Sequence, residues 1–206
     1  MVKAIVFDLG KVLVDFDYGI AGRTLAARAT MAAADLGRFL VHVPLIIEYE
    51  TGLITSEQFY QAVRKASGFL GDMDEFALSF ADIFTPIEPM VQLHAELRRR
   101  GFPTYIFSNT NEIAIRFIRR NFPFFQNFDG YILSYEHRSM KPDAKLYEVV
   151  EAQSGSRAAE ILYLDDRLEN IEAGAARGWQ VILQESPEKT LAAIQKLGVL
   201  KEWSPS

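Results

Sequence analysis

The sequence contains no cysteine. This excludes disulfides, thiolate metal sites and thiol nucleophiles, and it suits a reducing compartment, so a cytoplasmic location is expected. No stretch approaches the roughly 18 consecutive apolar residues of a membrane span. The opening MVKAIVFDLG meets Asp8 before a signal-peptide core can form, so the first residues are expected to be mature structure. Positive charge is in deficit: among 206 residues, 22 Lys and Arg stand against 27 Asp and Glu, a net charge of −5. That balance gives nucleic acid no electrostatic footprint, and neither nucleic acid nor a membrane is an expected partner. Internal repeats and low-complexity segments are also lacking. What remains is ordinary for a globular chain, with 49% apolar and 24% charged residues. The length fits one large domain, or one domain carrying a smaller one, with a core that needs no staples.

Five short apolar runs read as strands: Lys3 to Phe7, Thr104 to Phe107, Tyr131 to Leu133, Ile161 to Leu164 and Gln180 to Leu183. Helical spacing fills the intervals Met90 to Arg100, Glu112 to Arg120, Ala144 to Ala152 and Ile171 to Arg177. Alternating strands and helices predict an α/β fold, a Rossmann-like open parallel sheet whose ligand site lies outside the carboxyl ends of its strands. Asp8, Ser108, Ser134 and Asp165 fall at those ends. The interval 16–85 is too long for one crossover and shows helical spacing without a convincing strand, so it reads as an inserted α-helical domain. The core is then 1–15 and 86–206. Inside the insert, Thr55 with Gln58 forms a capping box that starts a helix, and Gly52 closes the preceding helix containing Ile46, Ile47 and Tyr49. The tail after Gly198, with Trp203 and Pro205, is expected to be a loosely packed end.

Taken singly, the polar residues at the strand ends have ordinary explanations. Asp8, followed by the permissive Gly10, is a nucleophile or merely a turn acid. Asp165 and Asp166 repel each other unless a cation or donors compensate, so they are either ligands of a hard metal or one helix cap and one solvated acid. Ser108, Asn109, Thr110 and Asn111 offer hydroxyls, amides and a helix amino terminus to an anion, although capping alone would use one or two of them. Lys141, stiffened by Pro142 at the opening of a helix near Ala144, is either held over the same sheet edge or solvated.

Together and in this order, the segments AIVFDLG, YIFSNTN, MKPD and LYLDDRLENI resemble the four motifs of the haloacid dehalogenase superfamily. The spacing places a helical cap between the first two. The wording is most similar to the branch of bacterial sugar-phosphate phosphatases. The resemblance implies that Asp8 attacks phosphorus and becomes an aspartyl phosphate. It implies that Ser108, Asn109 and Lys141 hold the phosphoryl oxygens. It further implies Mg²⁺ bound by the Asp8 carboxylate, the Gly10 carbonyl and Asp166, with Asp165 close by and Asn170 in support. The implied substrate is a small phosphorylated metabolite, a sugar phosphate, selected by the cap.

One position departs from the superfamily pattern. Most of its phosphatases carry a second Asp, two residues after the nucleophile, as general acid and base. Here that residue is Gly10, and losing such a group typically costs about 10²–10⁴ in rate. Asp15 is a candidate substitute or a loop acid, and Lys11 stands where glycine is usual. In the cap, His42, Glu48, Tyr49 and Glu50 either reach the leaving group or are ordinary cap-helix positions. Two other readings stay open: a metal-independent 2-haloacid dehalogenase, which would have no use for the Asp165–Asp166 pair, and a phosphate-binding protein of weak turnover. A phosphomutase would rely on the missing acid and base.

Overall fold

The computed structural model describes residues 1–42, 44–200 and 203–205. Its first apolar run is β1 (Ala4–Phe7), buried along its whole length. A short strand β2 (Val14–Phe16) leads into five helices: α1 (Tyr18–Ala26), α2 (Ala33–Leu40), α3 (Leu45–Glu50), α4 (Ser56–Ser67) and α5 (Met73–Ala81). Strand β3 (Phe84–Pro86) then returns antiparallel to β2. This two-stranded stem corrects the expectation of an interval without strands. Each strand has three residues, too few for an apolar–polar alternation to register in the sequence.

The core resumes with α6 (Glu88–Arg99), β4 (Thr104–Ser108), α7 (Glu112–Asn121), β5 (Gly130–Leu133), α8 (Ser134–His137) and α9 (Ala144–Ser154). It ends with β6 (Ile161–Asp165), α10 (Leu168–Ala176), β7 (Gln180–Leu183) and α11 (Pro187–Lys196). All five expected strands join one parallel sheet in the order β5-β4-β1-β6-β7. From β1 the chain steps to β4 and β5 on one side, then crosses to β6 and β7 on the other. The reversal lies beside β1, where open α/β sheets form their ligand crevice.

Alternation along β1 divides the core into two layers. Ile5 and Phe7 pack with Met90, Leu93 and Leu97 of α6 and Ile194 of α11. Ala4 and Val6 face the opposite way, toward Leu146, Tyr147 and Val150 of α9 and Ile171 of α10. The insert has its own core, in which Leu25, Leu36, Phe59, Phe76 and Phe80 are buried and Tyr49 stacks on Phe59 with centroids 4.5 Å apart. Ile113 of α7 belongs to that cluster, so the insert is packed directly onto the sheet layer.

Local signals place the helix ends. Thr55 and Gln58 form the expected reciprocal box, with Gln58 N–H donating to Thr55 Oγ1 at 3.2 Å and Thr55 N–H to Gln58 Oε1 at 2.8 Å. Gly52, at φ +66°, ends α3. Its N–H donates to Tyr49 O at 3.0 Å and that of Leu53 to Glu48 O at 2.8 Å, the paired bonds of a left-handed helix stop. At α9 the cap is Asp143, whose side chain accepts from Lys145 N–H, so Pro142 precedes the helix rather than opening it.

The tail also differs from expectation. Leu200 is fully buried, Trp203 packs against the first core layer, and Gln195 Nε2 donates to Trp203 O at 2.9 Å. Its apolar residues cover the core around α6 and α11; Lys201, Glu202 and Ser206 lie outside the described residues. Among the described residues, no helix is long and apolar enough to cross a membrane.

Candidate active site

Three adjacent strands deliver the central groups. Phe7 pairs with Ile106 on one side and Leu164 on the other, so Asp8, one residue beyond β1, lies level with Phe107 and Asp165. Lys141 reaches the same point from the loop before α9. Its ammonium lies 3.0 Å from Asp8 Oδ1 and 2.6 Å from Asp165 Oδ2, and donates at 2.8 Å to the Phe107 carbonyl. Its backbone is clamped by Asn109, whose Oδ1 accepts from Lys141 N–H at 2.7 Å and whose Nδ2 donates to Lys141 O at 3.0 Å. The Asn109 side chain thus serves the lysine before any ligand.

The two aspartates that share the lysine have different surroundings. Asp165 is wholly buried and surrounded by donors: Lys141 and Tyr163 hydroxyl on Oδ2, Arg167 N–H at 2.8 Å on Oδ1, and Asn170 Nδ2 across both oxygens at 3.0 and 3.1 Å. Burial pushes its carboxyl up, but Lys141 and these hydrogen bonds reverse the shift and hold it below the usual range. Asp8 has fewer partners. Beyond Lys141, its Oδ1 accepts from Leu9 N–H at 2.7 Å. Burial, only partly offset by Lys141 and reinforced by Asp165 and Asp166, pushes it up to about 7. Burial pushes the Lys141 ammonium down, yet the two aspartates more than restore it, so it stays charged.

A carboxylate oxygen from each of Asp8, Asp165 and Asp166 falls within 4.8 Å of the others. With one lysine among them, the cluster keeps two negative charges uncompensated when all three acids ionise, and Asp166 too is pushed up by burial and by Asp165. Hard oxygen donors with surplus negative charge fit a small divalent cation. Asp165 has little acceptor capacity left, whereas Asp8 and the half-buried Asp166 retain theirs. The bridge between Gly10 and Val14 uses the N–H of Lys11 and the carbonyl of Leu9, so it leaves the Gly10 carbonyl out. The residues present therefore fit a hard metal.

Beside this cluster is a small cleft of about 50 Å³, lined by Gly10 and Ser108 to Asn111 of the core together with Phe16, Tyr18, Glu50 and Phe84 from the stem and insert. Ser108 is buried at the end of β4, its hydroxyl making a long contact of 3.4 Å with Asn109 O. A larger, open depression of about 360 Å³, bounded by Glu96, Arg99 and Trp203, shares no residue with this cleft.

Gly10 has a neighbour that the sequence did not announce: a Cβ on it would meet Phe16 Cε1 at 2.8 Å. The aromatic ring takes up the space of a longer side chain. Asp15 turns outward, exposed and ion-paired to Lys11, which pulls its carboxyl below the usual range and makes it a poor proton donor. Lys11 itself lies 4.7 Å over the Phe16 ring.

Of the four cap candidates, only Glu50 lines the cleft. His42 is exposed and stacks on Phe39. Tyr49 is buried, its hydroxyl accepting from Ile113 N–H at 3.2 Å and pairing with Ser56 at 2.8 Å. Glu48 ends in the helix stop described above. Tyr163, Phe16 and Tyr18 escaped the sequence reading. Tyr163 carried a usable signal, since a residue two before Asp165 on the same strand shares its face.

Comparison with known proteins agrees with this geometry. The chain is 28% identical over 179 residues to a sesquiterpene phosphatase of Aspergillus oryzae, covering 85% of this chain and 86% of that protein. It is 25% identical over 193 residues to the D-ribitol-5-phosphate phosphatase of Bacteroides thetaiotaomicron, covering 90% and 93%. A haloacid dehalogenase family enzyme of Bacteroides thetaiotaomicron, crystallised with magnesium and inorganic phosphate, superposes with a TM-score of 0.77 at 22% identity, covering 88% of this chain and 93% of that one. That likeness speaks for the fold. The sequence profile of haloacid dehalogenase-like hydrolases matches residues 2–178; with its strand-end aspartates and buried lysine, the chain belongs to that family.

Proposed function

We propose that the protein is a Mg²⁺-dependent phosphatase of small phosphomonoesters, a sugar phosphate being the preferred class, acting through an aspartyl phosphate on Asp8. The observation that carries this reading is the placement of Asp8 against Lys141, at the strand edge it shares with Asp165 and Asp166. A carboxylate approaching a phosphate dianion meets Coulomb repulsion of several kcal/mol in a partly dry site. The lysine supplies part of the compensation and, once Asp8 turns to phosphorus, its freed N–H holds a phosphoryl oxygen together with Ser108, while Asn109 fixes the lysine backbone in that place.

Asp8, the Gly10 carbonyl and Asp166 would hold the metal, which when bound neutralises charge on the transferring phosphoryl group. Asp165 orients Lys141 from behind. Asn170, tied to both Asp165 oxygens, supports that position. Residues 16–85 act as the cap, whose Tyr18 and Glu50 close one side of the cleft. Phosphatase activity of the two curated relatives supports the same chemistry.

One observation favours a second reading. Gly10 supplies no acid where the family usually has one, and the Phe16 ring stands against it, which suits a phosphate-binding protein of slow turnover. Phosphate release from sugar phosphates and p-nitrophenyl phosphate, with and without Mg²⁺, tests both. Metal-dependent release by the wild type, abolished in Asp8→Asn, is the expected result. Binding of Mg²⁺ and phosphate without release would support the second reading, and chloride release from 2-chloropropionate without metal would overturn the first.

A further inference from the structure

We propose that Glu50, a residue of the cap, is the general acid that protonates the leaving oxygen, in place of the side chain that Gly10 lacks. The proposal rests on the phosphatase reading and specifies how that chemistry is completed.

The geometry carries it. Glu50 and Gly10 line the same cleft with Ser108 and Asn109. Among the described residues, the cleft lining contains no other carboxylic acid and no histidine. Glu50 is also fixed from several sides. Ser134 Oγ donates to the Glu50 carbonyl at 2.6 Å, at the carboxyl end of β5, and the same hydroxyl is tied to Thr110 on the cleft wall. Tyr49 next to it accepts from Ile113 N–H at the start of α7. Gly52, two residues on, lies so close to Tyr135 of α8 that a Cβ there would fall 2.1 Å from its carbonyl oxygen. Ser56 Oγ donates to Glu112 Oε2 at 2.6 Å, completing a seam between cap and core. A general acid must be held in place at the leaving oxygen, and this seam provides the hold.

The groups facing the carboxyl suit the role. Asn111 uses its Oδ1 to cap α7 and hydrogen-bonds Glu50 with its side chain, the Arg167 charge attracts it, and Tyr18 lines the cleft with it. Burial outweighs that hydrogen bond and that cation and pushes the carboxyl up to about 7, so a proton is available near neutrality.

In the step assigned here, the Asp8 carboxylate oxygen forms a bond to phosphorus as the ester P–O bond breaks. The Glu50 proton passes to the departing alkoxide oxygen and yields the alcohol. In the second step, water attacks the phosphorus of the aspartyl phosphate, the Asp8 O–P bond breaks, and the water proton returns to the Glu50 carboxylate.

The test measures kcat/KM with saturating Mg²⁺ for aryl and alkyl phosphomonoesters of rising leaving-group pKa, comparing wild type, Glu50→Gln, Glu50→Asp and Asp8→Asn. Glu50→Gln is expected to lose about 10²–10⁴-fold on alkyl esters and progressively less on aryl esters, steepening the dependence on leaving-group pKa. Glu50→Asp is expected to keep the wild-type slope at lower rates, and residual aryl hydrolysis reports a folded site. Parallel plots for wild type and Glu50→Gln, with Asp8→Asn inactive, would overturn the role of Glu50 alone. Hydrolysis that survives Asp8→Asn, or no hydrolysis of any ester by the wild type, would overturn the phosphatase reading with it.

Discussion

The carboxyl edge of the sheet and the cap segment over it are joined to the rest of the molecule by different forces. At the edge, Asp8, Lys141 and Asp165 are buried charges that satisfy one another, so removing Lys141 leaves both aspartates without their cation. The Glu50 segment is held by contacts with at most one charged partner each: a hydroxyl on a carbonyl, a phenol on an amide, a glycine against a backbone oxygen and the Ser56 hydroxyl on the Glu112 carboxylate. The first arrangement makes stability and chemistry inseparable. The second holds the segment without burying an ion pair, so position there can be altered without exposing a charge.

The most severe way to break this contrast is Lys141→Met. It leaves Asp8 and Asp165 buried without their cation, and a loss of roughly 3–5 kcal/mol is expected in urea unfolding at neutral pH. The loss should shrink as pH falls, because protonation of Asp8, whose carboxyl is already pushed up to about 7, relieves the uncompensated charge. A loss that grows toward acid would refute the account of the edge.

Elsewhere in the core, His94 supplies a milder test. Burial and Arg98 depress its pKa from 6.5 to about 4, and its ring is stacked 3.9 Å from Phe128. A base depressed on folding stabilises the protein above its unfolded value, and that contribution is lost as pH falls from 6.5 through about 4. The expected loss is on the order of 2–3 kcal/mol. His94→Phe, which keeps the stacked ring, should flatten this part of the acid unfolding curve.

The last perturbation belongs to the cap. Gly52→Ala costs roughly 1–2 kcal/mol for the left-handed backbone alone, and its Cβ, 2.1 Å from the Tyr135 carbonyl oxygen, also forces α3 and α8 apart. Melting should fall by more than the backbone cost alone predicts, while kcat/KM on alkyl esters falls more than on aryl esters, because Glu50 is displaced. Equal losses on both would detach the seam from proton transfer.

The contrast also explains what could be read in the sequence. Strands buried on both faces appear as apolar runs ending in a polar residue, so the five core strands and Asp8, Ser108 and Asp165 were visible as a pattern. Lys141 was visible through its surrounding segment, but its saturation by Phe107, Asp8 and Asp165 was not, because those contacts join residues up to 133 positions apart along the chain (141 − 8). The division of labour between Asp165 and Asp166 was hidden for a related reason: adjacent residues leave a strand end in opposite directions, and only the fold says which one turns inward. In the cap, one of four candidates proved to face the cleft, and its selection depends on Ser134 and Tyr135, more than 80 residues downstream (134 − 50 = 84). The stem strands β2 and β3 were too short to carry any period.

The ring of Phe16 against Gly10 has a consequence for how this sequence can change. An aspartate arriving at position 10 meets an occupied space, and a smaller residue arriving at position 16 opens a hole beside a glycine that cannot fill it. Each change is disfavoured until the other is made. The two positions are therefore coupled in space: what can stand at position 10 depends on what stands at position 16.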